Sequence, residues 1–230
     1  KLKNFFDDIE TNKNYFRLNI KKSRKYINRN NDTDVIKNIN ANINKCTDTN
    51  YEEIIKLIIN DINQNEHLLN LVIESILEKS IIQPTFVHNY VKVLNEINNH
   101  KNILRIINNT LNKYQQFIFD HTTVRSENVY DNLCNENKRT DNMIGYLMLM
   151  TYLDKENIVC DKINNLITNM MQEIFDKDND EIFKLLNCLY NIGLISTEYI
   201  INYKNDLTKL KDKKYNSKVR CKVMDIEDLF

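Results

Sequence analysis

The Asp120-His121 pair is the part of the sequence most suggestive of catalysis, because adjacent carboxylate and imidazole groups can share a metal ion. Metal-dependent phosphohydrolases built only from helices use such neighbours, but in the order His-Asp and with further ligands. Here the order is reversed, and the spacings of the other histidines place no two on one helical turn: His67, His88 and His100. We therefore expect no catalytic residue, no metal site and no cofactor. A phosphohydrolase centred on His121 is kept as an alternative.

A basic and aromatic segment near the amino terminus has the composition of a nucleic-acid contact. Between Arg17 and Arg29 there are six cations and no acidic residue, with Tyr15, Phe16 and Tyr26 close by. Cations neutralise phosphates, and aromatic rings stack on unpaired bases of any sequence. The expected RNA-binding residues are Arg17, Lys21, Lys22, Arg24, Lys25 and Arg29.

The formal net charge of zero conceals an uneven distribution. Residues 1–45 hold eleven lysines and arginines against five acidic residues, and residues 204–222 hold eight against two. Two basic ends therefore flank an acidic middle, which favours an anionic partner such as mRNA, bound without sequence preference. We interpret residues 1–32 as a basic, partly flexible arm and residues 33–230 as one domain.

The composition predicts a domain built only from helices. Two glycines, one proline and no tryptophan leave little for the tight turns of a β-protein or for a glycine-rich phosphate loop. The 39 asparagines and 31 isoleucines suggest an AT-rich coding sequence, as in some parasites and large viruses. Five scattered cysteines without a C-x-x-C pair indicate a reducing compartment, and no apolar run is long enough to span a bilayer. We expect a soluble, cytoplasmic protein with no membrane partner.

The apolar residues recur every three or four positions from residue 34 onward, which predicts helices with one buried face. The predicted pairs are 34–46 with 50–63, 65–82 with 84–98, 101–119 with 141–153, 156–172 with 179–193, and 195–211 with 216–230. Pairs that recur at roughly 35 to 45 residues are typical of a HEAT-type solenoid, so we expect a crescent of about five antiparallel pairs. Residues 120–140 lack a helical period, which predicts a mobile loop inside the third pair.

Three segments resemble the middle domain of eukaryotic translation initiation factor 4 gamma. Residues 43–51 read Ile-Asn-Lys-Cys-Thr-Asp-Thr-Asn-Tyr, and the family has Leu-Asn-Lys-Leu-Thr-Pro-x-x-Phe. Residues 78–86 read Glu-Lys-Ser-Ile-Ile-Gln-Pro-Thr-Phe beside the family's Glu-Lys-Ala-x-x-x-Pro-x-Phe. Residues 216–230 read Asn-Ser-Lys-Val-Arg-Cys-Lys-Val-Met-Asp-Ile-Glu-Asp-Leu-Phe, where the family has Ser-Ser-Arg-Ile-Arg-Phe-Met-x-x-Asp-x-x-Asp-Leu. The likeness spans residues 34–230.

This resemblance implies a scaffold that clamps a DEAD-box RNA helicase, holds its two lobes near their ATP-using arrangement and binds RNA. It also implies a part in bringing the small ribosomal subunit to mRNA. The family's helicase contacts lie on the first and last helix pairs. By that correspondence the helicase-binding residues are Ile43, Cys46, Tyr51, Ser217, Lys218 and Arg220. Cys46 and Asp48 differ from the family's leucine and proline, which implies a first contact that is weaker or suited to a different helicase.

Other functions of the same fold stay open from the sequence. Relatives of this domain act in splicing, nuclear cap binding and mRNA decay, and one could also inhibit translation by sequestering its helicase. The Tyr-x-x-x-x-Leu motif that recruits the cap-binding subunit does not occur in these residues, so we assign that recruitment to a segment outside them. In each of these readings the chain is a scaffold and not an enzyme.

Overall fold

A computed structural model describes the protein at residues 31–47, 49–119, 129–212 and 214–230. Every regular element in these ranges is helical, which confirms the all-α class. None of the described helices is both long and apolar enough to span a lipid bilayer. Most of the predicted basic arm, residues 1–30, lies outside the described part of the chain.

Ten α-helices occur in the described ranges, and short turns connect most of them. In chain order they are α1 (Asn31–Lys45), α2 (Tyr51–Gln64), α3 (Leu69–Ile82), α4 (Val87–His100), α5 (Leu104–Phe119), α6 (Val129–Lys155), α7 (Lys162–Glu173), α8 (Asn179–Ile195), α9 (Lys204–Lys209) and α10 (Ser217–Glu227). Turns of 3₁₀ helix occur at Glu66–Leu68, Pro84–Phe86, Ile174–Asp176, Thr197–Tyr199 and Ile201–Tyr203.

Most of the helices pack on a chain neighbour and on the second helix along. Contacts join α1 to α3, α2 to α4, α3 to α5, α4 to α6, α6 to α8 and α8 to α10. The pairs α1–α2, α3–α4, α5–α6 and α9–α10 are also in contact, and α3 additionally crosses α6. The two helices carry completely buried side chains, among them Ile76 and Leu77 of α3 and Tyr146 and Leu147 of α6. Each such side chain contributes about 1.5–3 kcal/mol by leaving water, so these two helices are a principal source of stability.

Side-chain caps define the start of two helices near the carboxyl end. The carboxylate of Asp178 accepts hydrogen bonds from the backbone N–H groups of Asp180 and Glu181, at 3.0 and 2.9 Å. The side-chain oxygen of Asn216 accepts from the N–H of Val219 at 2.9 Å. Each cap pairs a backbone donor that has no partner within the helix, and so fixes where α8 and α10 begin.

The mobile loop predicted over 120–140 is wrong for its second part. Residues 129–140 belong to α6, and residues 120–128 lie outside the described ranges. The guanidinium Nε of Arg139 donates to the backbone oxygen of Ile118 at 3.1 Å, and Lys184 pairs with Glu136 at 3.2 Å. These tertiary contacts hold a polar stretch in a helix that its apolar pattern does not predict.

The helix predicted from residue 195 also begins later than expected. Residues 197–203 instead form two 3₁₀ turns, closed by backbone hydrogen bonds from Ile200 to Thr197 and from Tyr203 to Ile200, each 3.0 Å. Ile200 is completely buried at their junction. A 3₁₀ helix repeats every three residues and an α-helix every 3.6, so the three-residue spacing of Ile200 and Tyr203 fits the start of either.

Candidate functional site

The residues predicted for the first helicase contact lie mainly in the core. Ile43 is 2% exposed and Cys46 is 7% exposed, so neither side chain offers an apolar surface to a partner. Tyr51 is half-buried, and its hydroxyl donates to the backbone oxygen of Lys92 at 3.1 Å. Burial, and then the nearby carboxylate of Glu96, raises the pKa of Tyr51, which keeps it a hydrogen-bond donor at neutral pH.

The turn between α1 and α2 explains why Cys46 points inward. The N–H of Cys46 donates to the backbone oxygen of Ile43 at 3.2 Å and closes the end of α1. The side chain of Asn50 accepts from the N–H of Thr47 at 2.8 Å and donates to the oxygen of Lys45 at 2.9 Å. One asparagine thus holds both sides of the turn, and Thr47 and Thr49 within it are exposed.

An exposed phenylalanine lies beside this turn. Phe86 is 51% exposed at the end of the Pro84–Phe86 turn that leads into α4. It lines a cavity of about 220 Å³ together with Ile43, Cys46, Asn89 and Tyr90. We call this cavity the amino-terminal pocket. Phe86 lies in the predicted helix 84–98, whose apolar residues are expected on its buried face, and its exposure differs from that expectation.

One residue that lines the amino-terminal pocket carries a buried polar atom without a hydrogen-bond partner. Asn89 is 8% exposed, and its side-chain oxygen makes no hydrogen bond within the described residues. The Tyr90 hydroxyl donates to the side-chain oxygen of Gln83 at 2.7 Å. Burial raises the pKa of Tyr90, so this hydroxyl remains protonated at neutral pH. The pocket therefore has aromatic and aliphatic walls, and the unpaired oxygen of Asn89 is itself closed off from solvent.

The residues predicted for the second helicase contact lie at the start of α10. Ser217 and Lys218 are exposed, while Arg220 is partly buried. The Nη2 group of Arg220 donates to the Ser217 hydroxyl at 3.3 Å, and its Nε is buried without a hydrogen bond among the described residues. The structure therefore brings Ser217 and Arg220 together on one turn of the helix.

Two lysines of α10 lie over aromatic rings of α8. The Lys218 Nζ is 4.0 Å from the centre of the Phe183 ring, and the Lys222 Nζ is 4.5 Å from that of Tyr190. Lys222 also pairs with Asp225 at 2.9 Å. We call these four side chains, Phe183, Tyr190, Lys218 and Lys222, the carboxy-terminal lysine–aromatic face. Phe183, Tyr190 and Lys222 were not among the predicted site residues, because sequence spacing does not show which ring a lysine of another helix will meet.

A larger cavity of about 380 Å³ lies among α5, α6, α7 and α8. Its charged rim is paired: Lys184 contacts Glu136 at 3.2 Å, and Lys177 contacts Glu173 at 3.5 Å. No cluster of three potential metal ligands occurs within the described ranges. His121 of the phosphohydrolase alternative lies outside those ranges.

The six residues predicted to bind RNA, from Arg17 to Arg29, also lie outside the described part of the chain. No protein-family model matches this chain, and no curated protein matches its sequence. The candidate surfaces are therefore defined by geometry: a pocket with an exposed phenylalanine at one end of the helix series, and a lysine–aromatic face at the other.

Proposed function

We propose that this chain is a translation-initiation scaffold domain that binds a DEAD-box RNA helicase and mRNA in the cytoplasm. It helps to bring the small ribosomal subunit to mRNA, and recruitment of the cap-binding subunit is left to a segment outside these residues. The helices form a HEAT-type crescent in this proposal. Its support is the packing of α1 on α3, α2 on α4, α6 on α8 and α8 on α10, because a solenoid stacks each helix on the second one along the chain.

The observation that carries the proposal is the position of Phe86. It belongs to one of the three segments that resemble the initiation-factor family, and it is half-exposed beside Ile43 and Cys46 of another. An exposed aromatic side chain at the edge of a pocket is typical of the centre of a protein interface. In the proposed complex, Phe86 supplies the apolar contact that the resemblance assigned to Ile43 and Cys46.

The carboxy-terminal lysine–aromatic face supplies the second contact in this proposal. This face is separated from the amino-terminal pocket by helices that pack in series: α3 on α6, α6 on α8 and α8 on α10. A scaffold that contacts both helicase lobes only when they are correctly apposed favours that arrangement, by its differential affinity for the two states. The ATPase chemistry stays with the helicase.

The RNA-dependent ATPase rate of a DEAD-box helicase from the same genome tests this function. We expect the purified chain to raise the rate, and we expect Phe86→Ala to weaken helicase binding about tenfold, which is the effect of losing one interface anchor. Phe117→Ala is the matched control, since Phe117 on α5 is also 51% exposed and lines neither candidate surface. We expect it to behave as the unchanged chain.

Two results would contradict the proposal. If the unchanged chain neither binds such helicases nor alters their ATPase rate, the helicase function fails. If Phe86→Ala and Phe117→Ala weaken binding equally, the first contact does not lie at Phe86.

A further inference from the structure

The start of α10 presents a serine hydroxyl to solvent. The serines in the described ranges differ in accessibility: Ser80 is buried, Ser75 and Ser196 are half-buried, and Ser217 is exposed. Ser217 is the first residue of α10, and α9 ends at Lys209, so the residues immediately before Ser217 belong to neither α-helix. Among the described serines, its hydroxyl is therefore the one that an enzyme can reach most easily.

Cations without a carboxylate partner flank this hydroxyl. Lys214 and Lys218 are exposed and Arg220 is partly buried, and none of the three forms an ion pair with another described residue. The Nη2 group of Arg220 reaches the Ser217 oxygen at 3.3 Å. Several neighbouring lysines are already neutralised: Lys209 by Asp206, Lys211 by Glu227 and Lys222 by Asp225. The start of α10 therefore has positive charge that no carboxylate of the described residues balances.

We propose that Ser217 is a phosphorylation site and that Arg220 holds the phosphate. A protein kinase transfers the γ-phosphoryl group of ATP: a bond forms between Ser217 Oγ and the γ-phosphorus, and the bond from that phosphorus to the oxygen shared with the β-phosphate breaks. ADP leaves with that oxygen, and the hydroxyl proton passes to a base of the kinase. The phosphate brings a charge of about −1.5 to −2 and three acceptor oxygens to a guanidinium that already bonds to Oγ.

The charge pattern around Ser217 also fits recognition by a kinase. Lys214 lies three residues before it, Lys218 lies one residue after it, and Arg220 lies three residues after it. Kinases discriminate among substrates by the charges that flank the accepting hydroxyl. The enzyme that fits this site is therefore one that prefers basic residues on both sides of a serine.

Thr208 has a similar pattern of charges but a different environment. Lys209 and Lys211 follow it in the sequence. Its hydroxyl, however, lies 2.9 Å from the backbone oxygen of Lys204 and 2.9 Å from the carboxylate of Glu227. A phosphate on Thr208 would be repelled by that carboxylate, so the geometry favours Ser217.

Phosphorylation should weaken the second helicase contact, and this consequence rests on the proposed function. Ser217 adjoins Lys218 of the carboxy-terminal lysine–aromatic face, and a phosphate there neutralises Arg220 and reduces the positive charge of the face. We expect the phosphorylated chain to bind helicase about tenfold more weakly. The modification site and its link to Arg220 rest on the geometry alone.

Protein kinase C with ATP tests the site, because this kinase prefers basic residues on both sides of a serine. Ser23 also has basic neighbours in the sequence, so it is changed to alanine in every chain of this assay. We expect mass spectrometry to find phosphate on Ser217 and not on Thr208, and we expect Ser217→Ala to remove it. A chain that carries no phosphate on Ser217 after this treatment would overturn the proposal.

Thermal unfolding tests whether Arg220 holds the phosphate. Phosphorylation should raise Tm by about 2–4 °C, because the new charge-assisted hydrogen bonds stabilise the start of α10. Arg220→Gln, phosphorylated to the same extent, should lose most of that rise. Lys209→Gln is the matched control and should keep the rise, since Lys209 lies on α9 and pairs with Asp206. If Tm does not rise, or rises equally in Arg220→Gln, Arg220 does not hold the phosphate.

Helicase binding by the two forms of the chain separates failure of the regulation from failure of the proposed function. If the unmodified chain binds helicase and phosphorylation of Ser217 leaves the affinity unchanged, the regulatory part is overturned and the helicase function stands. If Ser217 is phosphorylated with the expected rise in Tm but the unmodified chain binds no helicase, the helicase function fails and the modification site is retained.

Discussion

Gly145 of α6 packs directly against the backbone carbonyl of Ile81 on α3. A β-carbon placed on Gly145 would overlap the carbonyl oxygen and lie 2.8 Å from the carbonyl carbon. No side-chain rotation relieves such an overlap, because the opposing atoms are backbone. The chain has only two glycines, and this one allows the two central helices to approach closely.

Gly145→Ala should therefore destabilise the fold. Alanine favours a helix by about 1 kcal/mol over glycine, but separating α3 from α6 costs more, and we expect a net loss of about 2 kcal/mol or failure to fold. Gly193→Ala is the matched control. Its β-carbon would meet the ends of the Ile200 and Leu229 side chains at 2.6 and 2.8 Å, and these can rotate. Urea unfolding measures the stability of both variants. Equal losses of unfolding free energy would show that the close contact with the backbone of Ile81 is not what makes Gly145→Ala destabilising.

Ile43→Ala tests the revised role of the first family-like segment. Because Ile43 is buried, the substitution should remove about 2–5 kcal/mol of stability. At a temperature where the variant remains folded, its helicase affinity should fall less than that of Phe86→Ala. If the variant is as stable as the unchanged chain but does not bind helicase, the result would show that Ile43 contacts the helicase directly.

The all-helical class could be predicted from sequence, and so could several helix boundaries. The start of α8 at Asn179 matches the predicted range 179–193, and the carboxylate of Asp178 before it accepts two backbone hydrogen bonds. Asn50 and Asn65 also mark helix starts, but neither caps the helix that follows. Their side chains bond to the turn before, as when Asn65 donates to the oxygen of Asp61 at 2.9 Å. An asparagine side chain can bond either to the helix that follows it or to the turn that precedes it, and composition does not show which of the two occurs.

The candidate surfaces could be predicted only in part. Val87, Tyr90 and Val91 are buried as their helical period requires, whereas Phe86 is turned outward by the 3₁₀ turn that begins at Pro84. A residue at that junction follows the geometry of the turn and not that of the helix. The pairing of Lys218 with Phe183 depends on how α10 crosses α8, and a sequence pattern within one helix carries no information about that crossing.

The contact between Glu227 and α9 should make stability depend on pH. Its carboxylate accepts from the Thr208 hydroxyl at 2.9 Å and pairs with Lys211. Burial is the largest single influence and opposes ionisation. The hydrogen bonds from Lys211 and Thr208, together with the charges of Lys211 and Lys204, outweigh it and hold the pKa of Glu227 below its ordinary value of 4.5. A depressed carboxyl pKa stabilises the fold above the unfolded-state value, and this stabilisation is lost as pH falls through the folded-state pKa.

Glu227→Gln should therefore lower the free energy of unfolding by about 1 kcal/mol at pH 7. The difference in unfolding free energy between this variant and the unchanged chain should narrow as pH falls below 4.5. Unfolding by urea across this range measures the effect. Glu52→Gln, which changes an exposed carboxylate on α2, is the control. A difference that stays constant with pH would show that the ionised form of Glu227 is not what stabilises α9 against α10.

The carboxy-terminal lysine–aromatic face should contribute measurably to the packing of α10 on α8. A double-mutant cycle of Lys218→Met and Phe183→Leu should give a coupling energy of about 0.5–1 kcal/mol, because the ammonium lies 4.0 Å from the ring centre. Combining Lys218→Met with Phe86→Leu is the control, since these residues lie on separate surfaces, and their effects should add. A coupling energy of zero would show that Lys218 does not stabilise the packing of α10 on α8 through Phe183, and that its role is limited to contacts with a partner.

The basic segment near the amino terminus should dominate RNA affinity, and its salt dependence is the way to test it. Changing Arg17, Lys21, Lys22 and Arg24 to glutamine removes four cations from a segment without acidic residues. Each phosphate contact on a single strand contributes about 0.7 to the slope of log affinity against log salt, so binding of poly-uridine should lose roughly 2 to 3 from that slope. The matched control removes four exposed lysines from the acidic middle: Lys56, Lys92, Lys113 and Lys155. If both variants lose equal affinity and equal slope, RNA responds to the total charge of the chain and the segment is not its binding site.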